Sequence, residues 1–324
     1  MNALRNMLVL LASTLISAVV AAQTGAYPTR PIRMISPSGA GGPVDVVCRI
    51  VAQRLGETLG QQIVVENRVG AAGLIGTEFV VRQPPDGYTL LFGFSGPLAI
   101  VPNLNPQTPY NVARDLIPIS QVAVAPYVLL THPSVPAKSV KELVALAKAQ
   151  PGKMSFSSGG VGVGIHMAGE LLKVAAGVNI LHVPYAGAAP AMTALMSGEV
   201  DLMFNGLSAA VPHIKSGKVR ALAVGGDKRT ALFPELPTVH ESGYDVKTGG
   251  WYGVLAVRGT PQPVINILHA AIVKTMEQTE MRTILARIVA EPVTGTPRAF
   301  ADLISYESAL WGKVIKTAGI KANR

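Results

Sequence analysis

Two glycine-rich bends, each between an apolar strand and the start of a helix, constrain the fold of this chain most. The first, Ser36–Asp45 (SPSGAGGPVD), follows the apolar run Ile32–Ile35, and the second, Ser155–His166 (SFSSGGVGVGIH), repeats the arrangement. In an open parallel sheet, ligands bind beyond the carboxyl ends of the strands, where helix N-termini present unpaired N–H groups. Because glycine lets the backbone approach a ligand closely, two such bends facing each other predict a pocket for a small anion such as a carboxylate.

Short apolar strands alternate with helical stripes along the chain and predict an α/β fold. The segment that ends with the strand Tyr88–Phe92 has the order βαβαβ, which predicts a parallel sheet with helices on both faces. The pattern restarts with a strand at Tyr127–Thr131, and another strand is predicted at Trp251–Val257. Two such blocks predict two α/β lobes, each a sheet flanked by helices.

No low-complexity linker separates the two blocks, so the connections between lobes are expected to be strands, near Ala125–Thr131 and Gly250–Ala256. The expected lobe 1 comprises residues 27–125 and 251–324, and the expected lobe 2 comprises residues 126–250. From the order of elements alone, the helices after the second crossing are expected to pack back on lobe 1.

Composition excludes several classes of protein. The chain has 324 residues, of which 49% are hydrophobic and 15% charged, so it is not disordered. The net charge is +9, but the 28 basic residues are scattered and leave no footprint for nucleic acid. The single cysteine, Cys48, lies among apolar residues and is expected to be a buried, inert thiol.

The N-terminal segment Met1–Ala22 is typical of a cleavable secretory signal. Arg5 supplies the positive start, Met7–Val20 the apolar core, and Val20-Ala21-Ala22 a small-residue cleavage site. The alternative is a membrane anchor, for which this apolar run is too short. We therefore expect a secreted protein.

Neither bend carries a nucleotide-binding signature, and no metal or cofactor is expected. The spacing G-x-G-x-x-G is absent from both bends, and no P-loop lysine follows them. Metal binding at His166 is not expected. A hydrolase that uses His166 with Ser157 or Ser158 is the enzymatic alternative, but no G-x-S-x-G elbow surrounds these serines.

Several polar residues beside the bends and at strand ends leave two roles open. Asp45 either interacts with the helix dipole or holds the geometry of the first bend. His166 either donates to a ligand or packs. Ser95, Tyr185 and Asn205 each follow an apolar strand; Tyr185 could equally pack under its loop, and Asn205 could be a helix cap.

The chain also resembles a known family over Tyr27 to about Lys321. The stretches that carry the likeness are YPTRPIRMISPSGAGGPVD, VVENRVGAAGLIG, PDGYTLLFG, HMAGELL, HVPYAGAAPAM, PHIKSGKVRALAV and AEPVTGTP. They resemble the Bug proteins, the extracytoplasmic solute receptors of tripartite tricarboxylate transporters. The resemblance implies a two-lobed, type II periplasmic binding protein that closes like a flytrap on a small carboxylate and holds it largely through backbone N–H groups and water.

Carried over position by position, the resemblance also indicates where this chain departs from the common pattern. Pro37, Ala40, Gly41, Gly42 and Asp45 match the first family loop, whereas Ser38 replaces an aromatic residue. A frequent aspartate is replaced by Asn205, a neutral amide, so we expect no preference for amino acids. The expected ligand-binding residues are Ser38, Gly39, Ala40, Gly41, Gly42, Asp45, Ser95, Ser158, Gly159, Gly162, His166, Tyr185 and Asn205.

By the same resemblance, the expected partners are a small carboxylate and the membrane permease subunits of a tripartite transporter. A monomer is expected because a receptor of this kind must hinge freely. The expected location is the periplasm. A ligand sensor that presents its closed form to a membrane signalling partner would use the same binding residues, so the sequence leaves that alternative open.

Overall fold

The computed structural model describes residues 27–321, so the predicted signal Met1–Ala22 lies outside the described residues. Within that range the predicted two-lobed α/β fold is confirmed. The strands are β1 (Ile32–Ser36), β2 (Ile63–Asn67), β3 (Thr89–Phe94), β4 (Leu116–Thr131), β5 (Ser155–Ser158), β6 (Leu181–Pro184), β7 (Leu202–Gly206), β8 (Arg220–Val224), β9 (Gly249–Val257) and β10 (Glu291–Pro292).

Eleven α-helices, several of them short, accompany these strands within residues 27–321. They are α1 (Pro43–Leu59), α2 (Leu74–Val81), α3 (Val101–Leu104), α4 (Val112–Asp115), α5 (Val140–Ala149), α6 (Gly164–Ala176), α7 (Ala188–Ser197), α8 (Leu207–Lys215), α9 (Gln262–Met276), α10 (Thr279–Arg287) and α11 (Pro297–Ala318). A 3-10 turn at Ala71–Gly73 and a π-helical turn at Gly96–Ile100 follow β2 and β3.

Strand β4, 16 residues long, takes part in the sheets of both lobes. Up to Pro126 it pairs antiparallel with β9, and from Tyr127 onward it pairs antiparallel with β7. The strand order β2-β1-β3-β9-β4 therefore continues as β4-β7-β5-β6, while β8 and β10 also pair with β4. One long strand thus carries the chain from one lobe to the other.

The strand registers bring the carboxyl ends of both sheets to the same place. In lobe 1, β3 is parallel to β1, and its last residue, Phe94, lies opposite Tyr252 of β9, which in turn lies opposite Ala123 of β4. In lobe 2, β7 is parallel to β5, and its last residue, Gly206, lies opposite Tyr127 of β4. Because Ala123 and Tyr127 are close along one strand, the loops that follow β1–β3 and β5–β7 face one another.

Glycine ends three of the main helices. Gly60, Gly177 and Gly198 follow α1, α6 and α7 with φ of 68°, 62° and 76°. This left-handed conformation costs a residue with a side chain about 1 kcal/mol or more, so a glycine there stops the helix.

Ser139 caps helix α5. Its Oγ accepts a hydrogen bond from the Glu142 amide at 3.2 Å, while the Glu142 carboxylate accepts one from the Lys138 amide at 2.7 Å. We expect Ser139→Ala to lower the free energy of unfolding by about 1 kcal/mol in urea titrations, because an N-terminal amide loses its partner. The matched control is Ser305→Ala on an exposed position of α11, which should change stability by less than about 0.5 kcal/mol. Equal losses in the two variants would contradict a capping role.

Three groups of buried apolar side chains form the core, and the last helix contacts more than one of them. One face of the lobe 1 sheet packs on α1, α9 and α10, and buries Cys48 as expected; that burial raises the pKa of the thiol and keeps it unreactive. Phe300 of α11 packs on the other face of lobe 1, whereas Trp311 and Ile315 belong to the core of lobe 2. The tail helices were expected on lobe 1; α9 and α10 are there, but α11 spans both lobes.

Helices long and apolar enough to cross a membrane are absent from residues 27–321.

Candidate ligand-binding site

The first bend, between β1 and α1, presents backbone at the carboxyl edge of lobe 1. Gly39, Ala40 and Gly41 are exposed, and Gly41 has φ of 74°, a conformation that glycine adopts without strain. The Gly42 amide donates to the Gly39 carbonyl at 3.2 Å, and the Ser38 hydroxyl lies 3.1 Å from that of Ser36. The bend is therefore held by its own short hydrogen bonds, with its outer peptides open.

Asp45 holds this bend in place. Its Oδ2 accepts hydrogen bonds from the Gly41 amide at 2.8 Å and from Arg49 Nε at 2.9 Å, and its Oδ1 accepts one from Asn67 Nδ2 at 2.7 Å. Arg49 also donates to Asn67 Oδ1 at 2.8 Å, which closes a ring of three side chains. Burial raises the pKa of Asp45, but the hydrogen bonds from Arg49, Asn67 and Gly41 outweigh it and keep that pKa below its usual value.

The second bend, between β5 and α6, stands at the carboxyl edge of lobe 2 and is tightly packed. A side chain on Gly159 would meet the Ala188 amide at 2.9 Å, so the bend touches the start of α7. Gly162 has φ of 82°, and its amide donates to His166 Nδ1 at 3.2 Å. Ser158 is fully buried under the bend, 3.0 Å from the Gly160 carbonyl oxygen that it donates to.

Both bends are built on the same arrangement. In each, a glycine with positive φ donates its amide to a side chain four residues later in the first turn of the following helix: Gly41 to Asp45 and Gly162 to His166. These two side chains are buried, each only 2% exposed. Asp45 and His166 therefore act on the bends from below, and their contacts are those of positioning residues.

His166 belongs to a stack of aromatic rings beneath the second bend. Its ring centroid lies 4.0 Å from that of His182, which lies 4.8 Å from that of Phe156. Burial lowers the pKa of His166 to about 3 and that of His182 to about 4, and the charge of Lys173 adds to both shifts. Both imidazoles are therefore neutral at pH 7, which allows His166 Nδ1 to accept the hydrogen bond from Gly162.

The serines of the enzymatic alternative are not accessible. Ser157 donates to the Ala191 carbonyl at 3.0 Å, and Ser158 lies 2.6 Å from His182 Nε2 rather than beside His166. Both serines are 0% exposed. A substrate cannot reach either hydroxyl in this arrangement, so the geometry gives no support to a nucleophile at this position.

The three candidates at strand ends all have partners within the protein. Ser95 donates to Glu307 Oε2 at 2.9 Å, Tyr185 donates to Glu199 at 2.8 Å, and the Asn205 carbonyl oxygen accepts from the Gly206 amide at 2.8 Å. The chain places Ser95 and Asn205 on opposite sides of the cleft, at the ends of β3 and β7. Any contact of theirs with a ligand uses the remaining hydrogen-bonding capacity of these groups.

Glu307, which meets Ser95 from helix α11, was not among the residues predicted from the sequence. Glu307 Oε2 also accepts a hydrogen bond from Trp311 Nε1 at 3.1 Å. Burial raises the pKa of Glu307, although the hydrogen bonds from Trp311 and Ser95 oppose the shift. No local pattern in the sequence links residues this far apart, whereas the run Gly70-Ala71-Ala72-Gly73 after β2 could have been found as a third glycine-flanked bend.

That third bend carries backbone strain at the carboxyl edge of lobe 1. Ala71 and Ala72 have φ of 45° and 53°, values that residues with a side chain rarely adopt. A side chain on Gly73 would meet the Pro37 carbonyl oxygen at 3.2 Å and Pro97 Cγ at 3.0 Å, so the loops after β1, β2 and β3 pack on one another. Strained backbone of this kind concentrates at functional sites.

A cavity of about 300 Å³ lies between the lobes beside the first bend. Gly41 and Pro43 line it from lobe 1, and Ser208 and Ala209 line it from the start of α8 in lobe 2. Gly162 does not line this cavity: a side chain there would meet Leu104 of α3 at 2.6 Å. The two lobes also meet in an ion pair between Lys228 and Glu291, 2.9 Å apart.

Comparisons with known proteins agree with this architecture. The profile of the tripartite tricarboxylate transporter family receptor matches residues 47–320. Protein BugT of Bordetella pertussis is 38% identical over 315 residues, which is 97% of this chain and 96% of BugT. The Rhodopseudomonas palustris protein Rpa4515, solved with adipate, superposes with a TM-score of 0.82 at 34% identity over 91% of this chain and 99% of that one. MatC from the same species, solved with bound malate, gives a TM-score of 0.77 at 31% identity over 89% of this chain and all of that one. The chain therefore belongs to the receptor family of the tripartite tricarboxylate transporters.

Proposed function

We propose that this receptor captures a small carboxylate in the cleft between its lobes and delivers it to a membrane permease. The observation that carries the proposal is the convergence of two amide-rich bends, Ser38–Gly42 and Ser158–Gly164, at the one edge where both sheets end. Helix N-termini and open peptides at such an edge favour negative charge. Adipate in Rpa4515 and malate in MatC support a carboxylate as the ligand class.

The proposed roles of the predicted residues follow from their contacts. The backbone of Ser38, Gly39 and Ala40 in lobe 1, and of Gly159 in lobe 2, would face the ligand. Ser158 is buried under the second bend and would support it from below. Because the amides of Gly41 and Gly162 already donate to Asp45 and His166, these four residues would set the shape of the bends. The remaining predicted residues are proposed to contribute at the edge of the cleft between the lobes: Gly42, Ser95, Tyr185 and Asn205.

Closure of the lobes would follow from contacts that a ligand makes with both bends. We propose residues 27–125 and 251–324 as one lobe and 126–250 as the other, with β4 and the start of β9 as the connection. A ligand shifts the balance between open and closed forms only by its difference in affinity for the two, and about 1.4 kcal/mol changes their ratio tenfold. Charge-assisted hydrogen bonds contribute about 1.5–3 kcal/mol each, so two from the second lobe would suffice.

The proposed location is the periplasm, and the proposed partners are the permease subunits of a tripartite transporter. A cleft that must open and close supports a monomer as the working form. Sensing through a membrane signalling partner would use the same cleft, so capture of the partner by the closed receptor distinguishes the two roles. Binding without turnover is the proposed activity, since the candidate serines are buried.

The test compares carboxylates with neutral amides of the same shape. We expect isothermal titration calorimetry to detect binding of at least one of hexanoate, adipate, benzoate and malate, and at least a tenfold loss of affinity when its carboxylates are replaced by amides, because charged hydrogen bonds are lost. Small-angle scattering should then record a smaller radius of gyration with ligand. Native mass spectrometry of protein purified without refolding gives an independent readout. A neutral or cationic co-purified ligand, or amides that bind as well as acids, would contradict the proposal.

A further inference from the structure

The cavity between the first bend and helix α8 has walls that restrict what a ligand can place there. Its volume is about 300 Å³, at the lower end for small-molecule sites. Eight of its ten lining residues are apolar or aromatic, and none carries a charge. Val46 and Val47 of α1 form one wall, Ile288 and Ala290 a second, and Ala209 of α8 closes it from the other lobe.

We infer that this cavity receives the uncharged hydrocarbon part of the bound carboxylate, aliphatic or aromatic, so that the receptor selects acids with an apolar body. The inference rests on the proposed function, because it takes the acid group to be held at the bends. Gly41 belongs both to the first bend and to the cavity wall, so a ligand anchored at the bend reaches the cavity without leaving the cleft.

The polar groups at the cavity wall support an uncharged occupant. Tyr252 lines the cavity, is 5% exposed, and burial alone raises its pKa to about 12, so its phenol stays neutral at pH 7. Ser208 supplies the other side-chain hydroxyl of the wall. These two hydroxyls can satisfy one neutral polar group, but they cannot neutralise an ammonium ion or a second carboxylate.

The energetic consequence is a dependence of affinity on chain length and charge. Each methylene group that enters an apolar cavity adds a factor of roughly four to the affinity. A charged group that enters the same cavity loses its hydration and gains no ion pair or charged hydrogen bond in exchange. This loss reduces affinity by a factor of about a hundred or more. The aliphatic series and its charged analogues therefore separate this inference from a cleft that simply binds any acid.

The experiment measures dissociation constants by calorimetry for acetate, butanoate and hexanoate, and for 6-aminohexanoate as the charged analogue of hexanoate. We expect affinity to increase by at least tenfold from acetate or butanoate to hexanoate, and 6-aminohexanoate to bind at least a hundredfold more weakly than hexanoate. Affinity that does not change with chain length, or equal binding of hexanoate and 6-aminohexanoate, would overturn the inference.

A cavity-filling variant tests the location. Ala209 is exposed at the start of α8 and lines the cavity, so Ala209→Leu should fill it without disturbing the core. We expect that variant to bind hexanoate at least tenfold more weakly and to lose the dependence on chain length. Ala175→Leu, on an exposed position of α6 away from the cavity, is the matched control and should bind like the parent protein. Unchanged hexanoate affinity in Ala209→Leu would place the hydrocarbon elsewhere and overturn the inference.

The outcomes also separate this inference from the proposed function. If malate or aspartate binds tightly while hexanoate and benzoate do not, carboxylate capture stands and the apolar cavity is not the selecting feature. If no acid binds, aliphatic, aromatic or hydroxylated, both statements fail.

Discussion

Replacing Asp45 with alanine should lower the free energy of unfolding by about 2–4 kcal/mol and weaken ligand binding at the same time. The carboxylate is 2% exposed and accepts three hydrogen bonds, from Gly41, Arg49 and Asn67. Without it the Gly41 amide and one N–H of Asn67 lose a charged acceptor, although Asn67 Nδ2 still donates to the Ser38 carbonyl at 3.0 Å. Each hydrogen bond to a charged group contributes about 1.5–3 kcal/mol. Urea unfolding followed by tryptophan fluorescence measures the loss.

The control for this variant is a second aspartate in an ion pair of the same helical spacing. Asp302 pairs with Arg298 at 3.5 Å on α11, with Asp302 66% and Arg298 88% exposed, so water screens the pair. We expect Asp302→Ala to cost less than about 0.5 kcal/mol. If Asp45→Ala lowers the free energy of unfolding no more than Asp302→Ala, the ring of three side chains does not hold the bend. The hydrogen bond from the Gly41 amide to Asp45 would then not be a stabilising feature of the first bend.

Asp45 also illustrates what sequence reasoning could establish about the site. Its place in the first turn after Pro43 left two roles open, an interaction with the helix dipole or control of the bend. The contact with the Gly41 amide is local, four residues along the chain, and was within reach of the pattern. Asn67 was not, because it comes from the end of the neighbouring strand and meets Asp45 only when β2 pairs with β1.

The fold was more predictable than the contacts, because its signals are local. Alternating apolar strands and helical stripes, with three of the helices closed by a glycine, specify β1–β3 and β5–β7 and the helices between them. The rule that loops meet beyond the carboxyl ends of parallel strands then brings the two bends together without any knowledge of side chains. The position of helix α11 could not be predicted in this way. Its apolar stripe indicates a buried face but not the lobe against which that face packs, and in the structure α11 packs on both lobes.

Of the two histidines beneath the second bend, only one was a candidate from the sequence. His166 stands beside the bend and was considered, but His182 lies on β6 and meets it through the pairing of β5 with β6. The contact matters because each ring contributes to the burial of the other. Lys173 lies close enough to oppose protonation of both, and Glu170 Oε1 lies 3.8 Å from His166 Nε2, too far for a hydrogen bond.

The pKa shifts of these rings fix the direction of a pH effect on stability. In the folded protein the pKa is about 3 for His166 and about 4 for His182, whereas an unfolded chain has histidines of pKa near 6.5. Between those values the unfolded state binds protons that the folded state does not, so stability is complete above about pH 6.5 and falls as the pH is lowered. One histidine of this kind contributes about 2.7 kcal/mol over two pH units, since each unit corresponds to about 1.36 kcal/mol.

We expect the free energy of unfolding to fall by about 3 kcal/mol or more between pH 7 and pH 4.5, a range above the usual pKa of carboxylates. Urea titrations at half-unit intervals measure the slope. His166→Gln combined with His182→Gln should flatten it, whatever the stability at pH 7, because the titrating groups are gone; a double variant with the parent slope would contradict the assignment. The Ser139→Ala protein controls for general loss of stability and should keep the full slope. The folded-state pKa of His166 is about 3, so between pH 7 and pH 4.5 its Nδ1 should still accept the amide of Gly162, and the second bend should keep its anchor while the protein remains folded.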